Sequence, residues 1–225
     1  MFLIEKLSTN LASKISSTLA LNKNNEEIIA YGAFAFFQML WAIFIIVLFG
    51  IILDVLKESL IIAFTASFLR KYSGGAHANS PNRCAVIGAI VCDGLALAVN
   101  KTSNLVTIKL VIIIVIISFL FSYYIIYKLA PVDSSAKPIK KTETKQRLKR
   151  SSLILLHGFI LMICILLILY YKLEIKYLLI SVICVCLGIT WQSFTLTHKG
   201  HFITNSIDIF LKNISNFIGG NKNEK

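Results

Sequence analysis

Four stretches of this chain, residues 28–53, 105–127, 151–171 and 176–197, consist mostly of Leu, Ile, Val, Phe and small residues, with at most one Lys, Arg, Asp or Glu in each. About 20 such residues in a helix match the roughly 30 Å hydrocarbon core of a bilayer. A helix also pairs its own backbone N–H and C=O groups there, where water is absent. Two shorter apolar segments, 55–69 and 84–99, lie between the first two. The sixteen residues of the latter reach only about 24 Å as helix. They either cross a thinned bilayer or, for 55–69, re-enter it. Composition agrees: 56% of residues are hydrophobic and 15% charged, against about 25% charged in soluble domains.

The expected fold is therefore all-α: a polytopic membrane helical bundle of about six transmembrane segments. Residues 1–225 form a single integral membrane domain with a transmembrane bundle at 28–197. Both ends carry a different pattern. Ile4, Leu7, Leu11, Ile15 and Leu19 recur at helical spacing with Glu5, Lys6, Ser8, Ser13 and Lys14 between them. This predicts an amphipathic helix over 1–22 lying in the interface, and it lacks the basic start and continuous apolar run of a secretory signal. Ile203, Ile207, Phe210, Leu211, Ile214, Phe217 and Ile218 repeat at three and four. They predict a second amphipathic helix over 203–218, either interfacial or packed on the bundle.

Lys and Arg outnumber Asp and Glu by 23 to 11, for a net charge of +12. The basic residues gather at membrane edges rather than on one face interleaved with aromatics, which argues for anionic lipid and against nucleic acid. The loop 128–150 holds Lys128, Lys137, Lys140, Lys141, Lys145, Arg147, Lys149 and Arg150. The positive-inside rule makes it cytoplasmic. Counting spans back puts the 70–83 loop, with Arg70, Lys71 and Arg83, on the same side. Only Lys57, Lys101, Lys109, Lys172 and Lys176 then fall on the other.

Of the five cysteines, Cys92, Cys164, Cys184 and Cys186 lie inside apolar runs, where a free thiol acts as a small hydrophobe. The odd count and the spacings suggest neither a disulfide framework nor a zinc site. Cys84 alone borders a polar loop, Arg70-Lys71-Tyr72-Ser73-Gly74-Gly75-Ala76-His77-Ala78-Asn79-Ser80-Pro81-Asn82-Arg83-Cys84. Ser80-Pro81 reads as an N-cap followed by proline at the first helical position. Cys84 then sits at the end of the first helical turn, where the macrodipole favours thiolate, and Arg83 adds charge nearby. Gly74-Gly75 permits positive φ and a tight reversal that folds His77 toward the sulfur as general base. On spacing alone, one His and one Cys near a helix start also occur by chance. Metal ligation by the pair lacks further ligands, and no cofactor is called for.

The pattern Arg70-x-x-x-Gly74-Gly75-x-His77-Ala78, followed by Cys84, resembles the signature of the AgrB family (accessory gene regulator protein B). Ala130-Pro131-Val132-Asp133 followed by Lys137-Pro138-Ile139 gives a second match in the basic loop. The resemblance implies a membrane cysteine endopeptidase in quorum-sensing peptide biosynthesis. It cleaves the C-terminal tail of a small AgrD-type propeptide through an acyl-enzyme thioester. An internal Cys or Ser of the precursor then takes the acyl group and closes a thiolactone or lactone. His77 is the base and Cys84 the nucleophile on that resemblance, within a catalytic loop 70–84 supported by Arg70, Gly74 and Gly75. The resemblance also implies a homodimer in the cell membrane. Lys137, Lys140, Lys141 and Lys145 are candidate contacts for the acidic tail of the precursor, or simply topological and lipid-binding charges. The rival reading is a small-peptide exporter without covalent chemistry, which would need broken helices and several ionisable groups at mid-membrane. Only Asp93 fits that, and at nine residues from Cys84 it points to the opposite side of a helix and reads as a buried polar contact. Gln38 and Gln192 read as interhelical hydrogen-bonding groups. His198 and His201 read as interfacial anchors. Tyr123, Tyr124, Tyr127, Tyr170, Tyr171, Tyr177 and Trp191 suit aromatic belts.

Overall fold

A computed structural model describes residues 3–76, 78, 80–133 and 141–218. Among them are eight α-helices: α1 (Leu3–Thr18), α2 (Lys23–Ile52), α3 (Leu56–Ser73), α4 (Pro81–Thr102), α5 (Ile108–Leu129), α6 (Thr142–Leu173), α7 (Lys176–Phe194) and α8 (His198–Ile218). A single 3₁₀ turn, Ser103–Leu105, follows α4, and the described residues contain no strand. Local chemistry sets several boundaries. The Asn22 side chain accepts from Asn25 N at 2.9 Å and starts α2. Thr107 Oγ1 accepts from Leu110 N at 3.4 Å at the start of α5. Both satisfy orphan donors of a first turn.

Five helices, α2 and α4 to α7, are long and apolar enough to cross a membrane. Segment 84–99 is longer than its apolar run suggests. α4 continues through Asn100, Lys101 and Thr102, whose hydroxyl donates back to Ala98 O at 2.8 Å. Those 22 residues rise about 33 Å. α3 falls short of the five because Lys57, Glu58, Arg70 and Lys71 occupy its ends. It nevertheless runs level with α7. Lys57 Nζ lies 5.7 Å over the Tyr177 ring at the start of both helices, and Gln192 bonds Ser73 at the end of both. α3 is thus a full-length member of the bundle rather than a re-entrant piece.

α7 is the centre. It packs against α3, α5 and α6, and the run from Ser181 to Cys186 is buried on every side. Ile62 and Leu69 of α3, Val111 and Ile126 of α5, and Leu156 and Ile163 of α6 complete this core. Cys184 and Cys186 are fully buried in it, Cys92 is buried, and Cys164 faces outward on α6. The outward surface is rich in large apolar side chains such as Phe44, Ile117, Leu120, Leu161 and Ile168, which is what a helix surrounded by lipid requires. Asp93 is 3% exposed and sits against Ser59 of α3, near Gly50 of α2. Among the described residues, its carboxylate oxygens have no hydrogen-bond partner.

The basic loop is shorter than expected. Residues 142–150 are the first turns of α6, so Lys145, Arg147, Lys149 and Arg150 stand on a helix of 32 residues, about 48 Å long. A strong hydrophobic run identifies only the part of a helix inside the membrane, and polar turns outside it read as loop. α1 packs on α2 through Ser8, Ala12 and Ser16, and keeps Leu7 and Leu11 outward. Small residues at four-residue spacing let the two helices approach closely.

Candidate active site

The two sequence motifs meet at one end of the bundle. α3 ends at Ser73, and Gly74 N donates to Arg70 O at 3.0 Å. Gly74 then takes φ +71° and Gly75 φ +135°, values that only glycine adopts without strain. The turned chain lies beside the segment after α5. Val132 N donates to Ser73 O at 2.9 Å, and Gly74 pairs with Val132 as an isolated parallel bridge. A Cβ on Gly74 would run into the Val132 carbonyl. The Gly74-Gly75 turn and Ala130-Pro131-Val132-Asp133, 55 residues apart in sequence, are therefore one structural unit, and the loops that hold them share a face.

The end of α7 closes this unit from the other side. Gln192, 1% exposed, donates through Nε2 to Gly74 O at 2.7 Å and to Ser73 Oγ at 3.1 Å. Ala76 N donates to Thr195 O at 3.2 Å. A Cβ on Gly75 would come within 2.8 Å of Thr195 Oγ1 and 3.2 Å of Gln192 Nε2. Gln192 thus hydrogen-bonds between helices, from α7 to Ser73 at the end of α3, as its place in an apolar run suggested. It fixes the backbone of the turn. Its signal was visible as a lone amide in an apolar helix, but its target was not.

Arg70 joins the turn to the cysteine. Its Nη2 donates to Ala76 O, and its guanidinium interacts electrostatically with Cys84. Both polar backbone groups of Ala76, the residue before His77, are therefore held. Cys84 itself is partly buried, and its N–H donates to Ser80 O at 2.9 Å as the first bond of α4. His77, with Asn79, lies outside the described residues, as do Lys137 and Lys140.

Two expectations about the helix start change. Ser80 holds the extended N-cap conformation and Pro81 the first helical position, yet the Ser80 hydroxyl makes no capping bond. The Arg83 charge is directed elsewhere: Nε donates to Asp208 Oδ1 at 2.6 Å and Nη2 to Oδ2 at 3.2 Å. Arg70, which reads from sequence only as part of a loop signature, holds the turn by its bond to Ala76 O. Sequence reading missed Asp208 altogether. An acid on the inward face of an otherwise amphipathic helix was its only trace. Of the basic residues after α5, Lys141 is exposed, and Lys145 pairs with Asp133 at 3.4 Å. Lys149 stacks over Tyr127 at 4.4 Å.

The family model described as Accessory gene regulator B matches residues 8–196. An AgrB-like protein of Clostridium perfringens (strain SM101, Type A) is 38% identical over 213 residues, covering 92% of this chain and 98% of that protein. An AgrB-like protein 2 of Clostridium perfringens (strain 13, Type A) is 37% identical over 210 residues, covering 92% and 98%. An AgrB-like protein 1 of the same strain is 32% identical over 128 residues, 56% of this chain and 65% of that protein. No solved structure matches the chain.

Proposed function

The chain belongs to the AgrB family, a multi-pass membrane family whose name ties it to the accessory gene regulator quorum-sensing system, and from that premise we propose that it is a cysteine endopeptidase acting on an AgrD-type propeptide. In this reading the reaction starts when His77 takes the Cys84 thiol proton. The thiolate attacks the scissile carbonyl, the C–N bond breaks, and the leaving amine departs with the proton from His77. The acyl group remains on Cys84 as a thioester. An internal thiol or hydroxyl of the precursor then attacks that thioester, closes the (thio)lactone ring and releases Cys84. Exchange of one thioester for another costs little free energy, and a site at the water-poor membrane edge slows the competing hydrolysis.

The observation that carries the proposal is the reach of Arg70. One guanidinium holds the carbonyl of Ala76, immediately before His77, and lies within electrostatic range of Cys84. The clamped turn fixes the chain from which His77 departs. The other four cysteines have no comparable setting: three are buried in apolar core and Cys164 faces outward on a spanning helix. An exporter without covalent chemistry is disfavoured because the five spanning helices run unbroken. The reading includes a cytoplasmic active-site end, deduced from the basic residues that cluster there, a single domain, and pairing with a second copy as in the family resemblance.

The test is cleavage of a synthetic AgrD-type precursor by purified protein in liposomes, with each cysteine replaced singly by alanine. Cys84→Ala is expected to abolish cleavage and trapping of the thioester, and the other four variants to retain both. Cleavage by Cys84→Ala, or equal loss in another folded cysteine variant, overturns the assignment. His77→Ala is expected to stop cleavage and to change how Cys84 alkylation varies with pH.

A further inference from the structure

α8 carries its polarity the wrong way round for a helix packed on a soluble protein. Thr204 and Asp208, one turn apart, face the bundle at 7% and 1% exposure. Phe202, Phe210 and Phe217 stand outward at 67%, 64% and 90%, with Ile203, Ile209 and Ile214 beside them. At 100° per residue these six occupy one arc of the helix. Lys199 and Lys212 are exposed on the same helix. α8 leaves the end of α7 at the level of the Gly74-Gly75 turn and packs against α4. It lies beyond the residues matched by the family model, which end at 196.

The inward face makes one strong contact. Asp208 receives both Nε and Nη2 of Arg83, the residue immediately before Cys84. Paired, charge-assisted bonds of this kind fix orientation as well as distance. The Asp208 side chain is almost fully buried and that of Arg83 is 22% exposed, so water screens the pair less than an exposed one.

We propose that the outward face of α8 lies on the anionic lipid surface, and that the Asp208–Arg83 pair transmits that anchorage to the first turn of α4, making Asp208 a positioning residue for Cys84. The occupant follows from the face itself. It is apolar, it flanks the lipid-facing surface of the bundle, and its exposed cations, with those at the start of α6, suit acidic headgroups. The consequence follows from helix geometry. Arg83 and Cys84 share the first turn of α4, so the pair with Asp208 ties that turn to α8 at the residue next to the thiol. This rests on the peptidase reading for its effect on cleavage, but not for its effect on the thiol.

The experiment uses full-length protein in liposomes with Cys92, Cys164, Cys184 and Cys186 replaced by alanine, so that only Cys84 reacts with iodoacetamide. Asp208→Asn is expected to slow Cys84 alkylation and precursor kcat about tenfold, since misplacing a reacting group by about 1 Å costs up to about a hundredfold. It should also alter the pH profile of alkylation, with KM little changed. Asp208→Glu, and the reversal Arg83→Asp with Asp208→Arg, should each recover most of the rate. Wild-type alkylation in Asp208→Asn, or failure of both rescue variants, overturns the positioning role. Separately, Phe210→Trp in a Trp41→Phe, Trp191→Phe background should be quenched by brominated lipid, more strongly with anionic lipid present. Absence of quenching overturns the lipid assignment, whether a second copy or the precursor covers the face instead. Alkylation and quenching read the proposal directly. Loss of cleavage in wild type with both intact would instead count against the peptidase reading.

Discussion

The two sides of the active-site loop are held by different means. On one side, Ser73 to Ala76 is fixed through its backbone: Val132 N reaches the Ser73 carbonyl, Gln192 the Gly74 carbonyl, Arg70 the Ala76 carbonyl, and the Ala76 N–H reaches Thr195 O. On the other, the start of α4 is tied to α8 through the ion pair Arg83–Asp208, with Ala85 packed in the core beside it. The first side is buried and made of many small bonds that share their load. The second includes a charged joint to α8. A thiol and its base, one on each side, would thus have one partner fixed by the bundle and the other adjustable by α8.

If this contrast is right, damage to the first side should be the more severe. Gly74→Ala places a Cβ against the Val132 carbonyl at a positive φ. Strain of that kind costs about 1–3 kcal/mol before the clash is counted. The expected outcome is loss of cleavage and a clear fall in thermal unfolding temperature in detergent. A fully active, stable Gly74→Ala protein would show that the turn is not the rigid half.

Gln192→Leu comes next. It removes the buried donor to Gly74 O and Ser73 Oγ, and a carbonyl left unpaired in a buried site costs about 1–3 kcal/mol. Cleavage should drop while Cys84 alkylation persists, because the thiol sits on the opposite side. Equal loss of both would mean that the two sides are not mechanically separate.

Arg70→Lys sharpens the contrast further, since Arg70 is the group that spans it. Lysine keeps the charge but not the planar fork. Alkylation of Cys84 should survive better than cleavage, and Arg70→Gln should lose both. If Arg70→Lys equals wild type in cleavage, the bond to the Ala76 carbonyl is dispensable and only the field matters.

The two sides also differed in how much the sequence revealed. Arg70, Gly74, Gly75, His77 and Cys84 lie within fifteen residues, and the Ser80-Pro81 pair marks the helix start correctly. The spanning helices were equally legible, because long apolar runs have few alternatives. What holds the loop was not, since Gln192, Val132 and Asp208 act from 59 to 125 residues away, and one sequence carries no record of which distant groups meet. The start of α6 at Thr142 was missed for a different reason: the basic turns outside the membrane have no apolar periodicity to announce a helix. Adjacency to Cys84 in sequence does not reveal that the Arg83 side chain pairs with Asp208, because a long side chain is aimed by the direction in which it leaves its helix.

The smallest effect is expected at Lys145, which belongs to neither side. Its ammonium lies 3.4 Å from Asp133, and both side chains are well exposed, at 48% and 38%. Exposed pairs contribute about 0–1 kcal/mol, so Lys145→Gln should barely change stability. Its distinct value lies in charge. Lys141 and Lys145 stand at the start of α6, close in sequence to Asp133 beside the Gly74–Val132 contact. If they draw in an acidic precursor tail, the double variant Lys141→Gln, Lys145→Gln should raise KM several-fold at low salt, leave kcat unchanged, and converge on wild type as added salt shortens the screening length below about 8 Å. If they bind lipid alone, KM in neutral detergent should equal that of wild type at every salt concentration. A change in kcat instead would mean that the α6 start reaches the turn through Asp133, and that the boundary between the rigid half of the site and its surroundings lies further out than the hydrogen bonds place it.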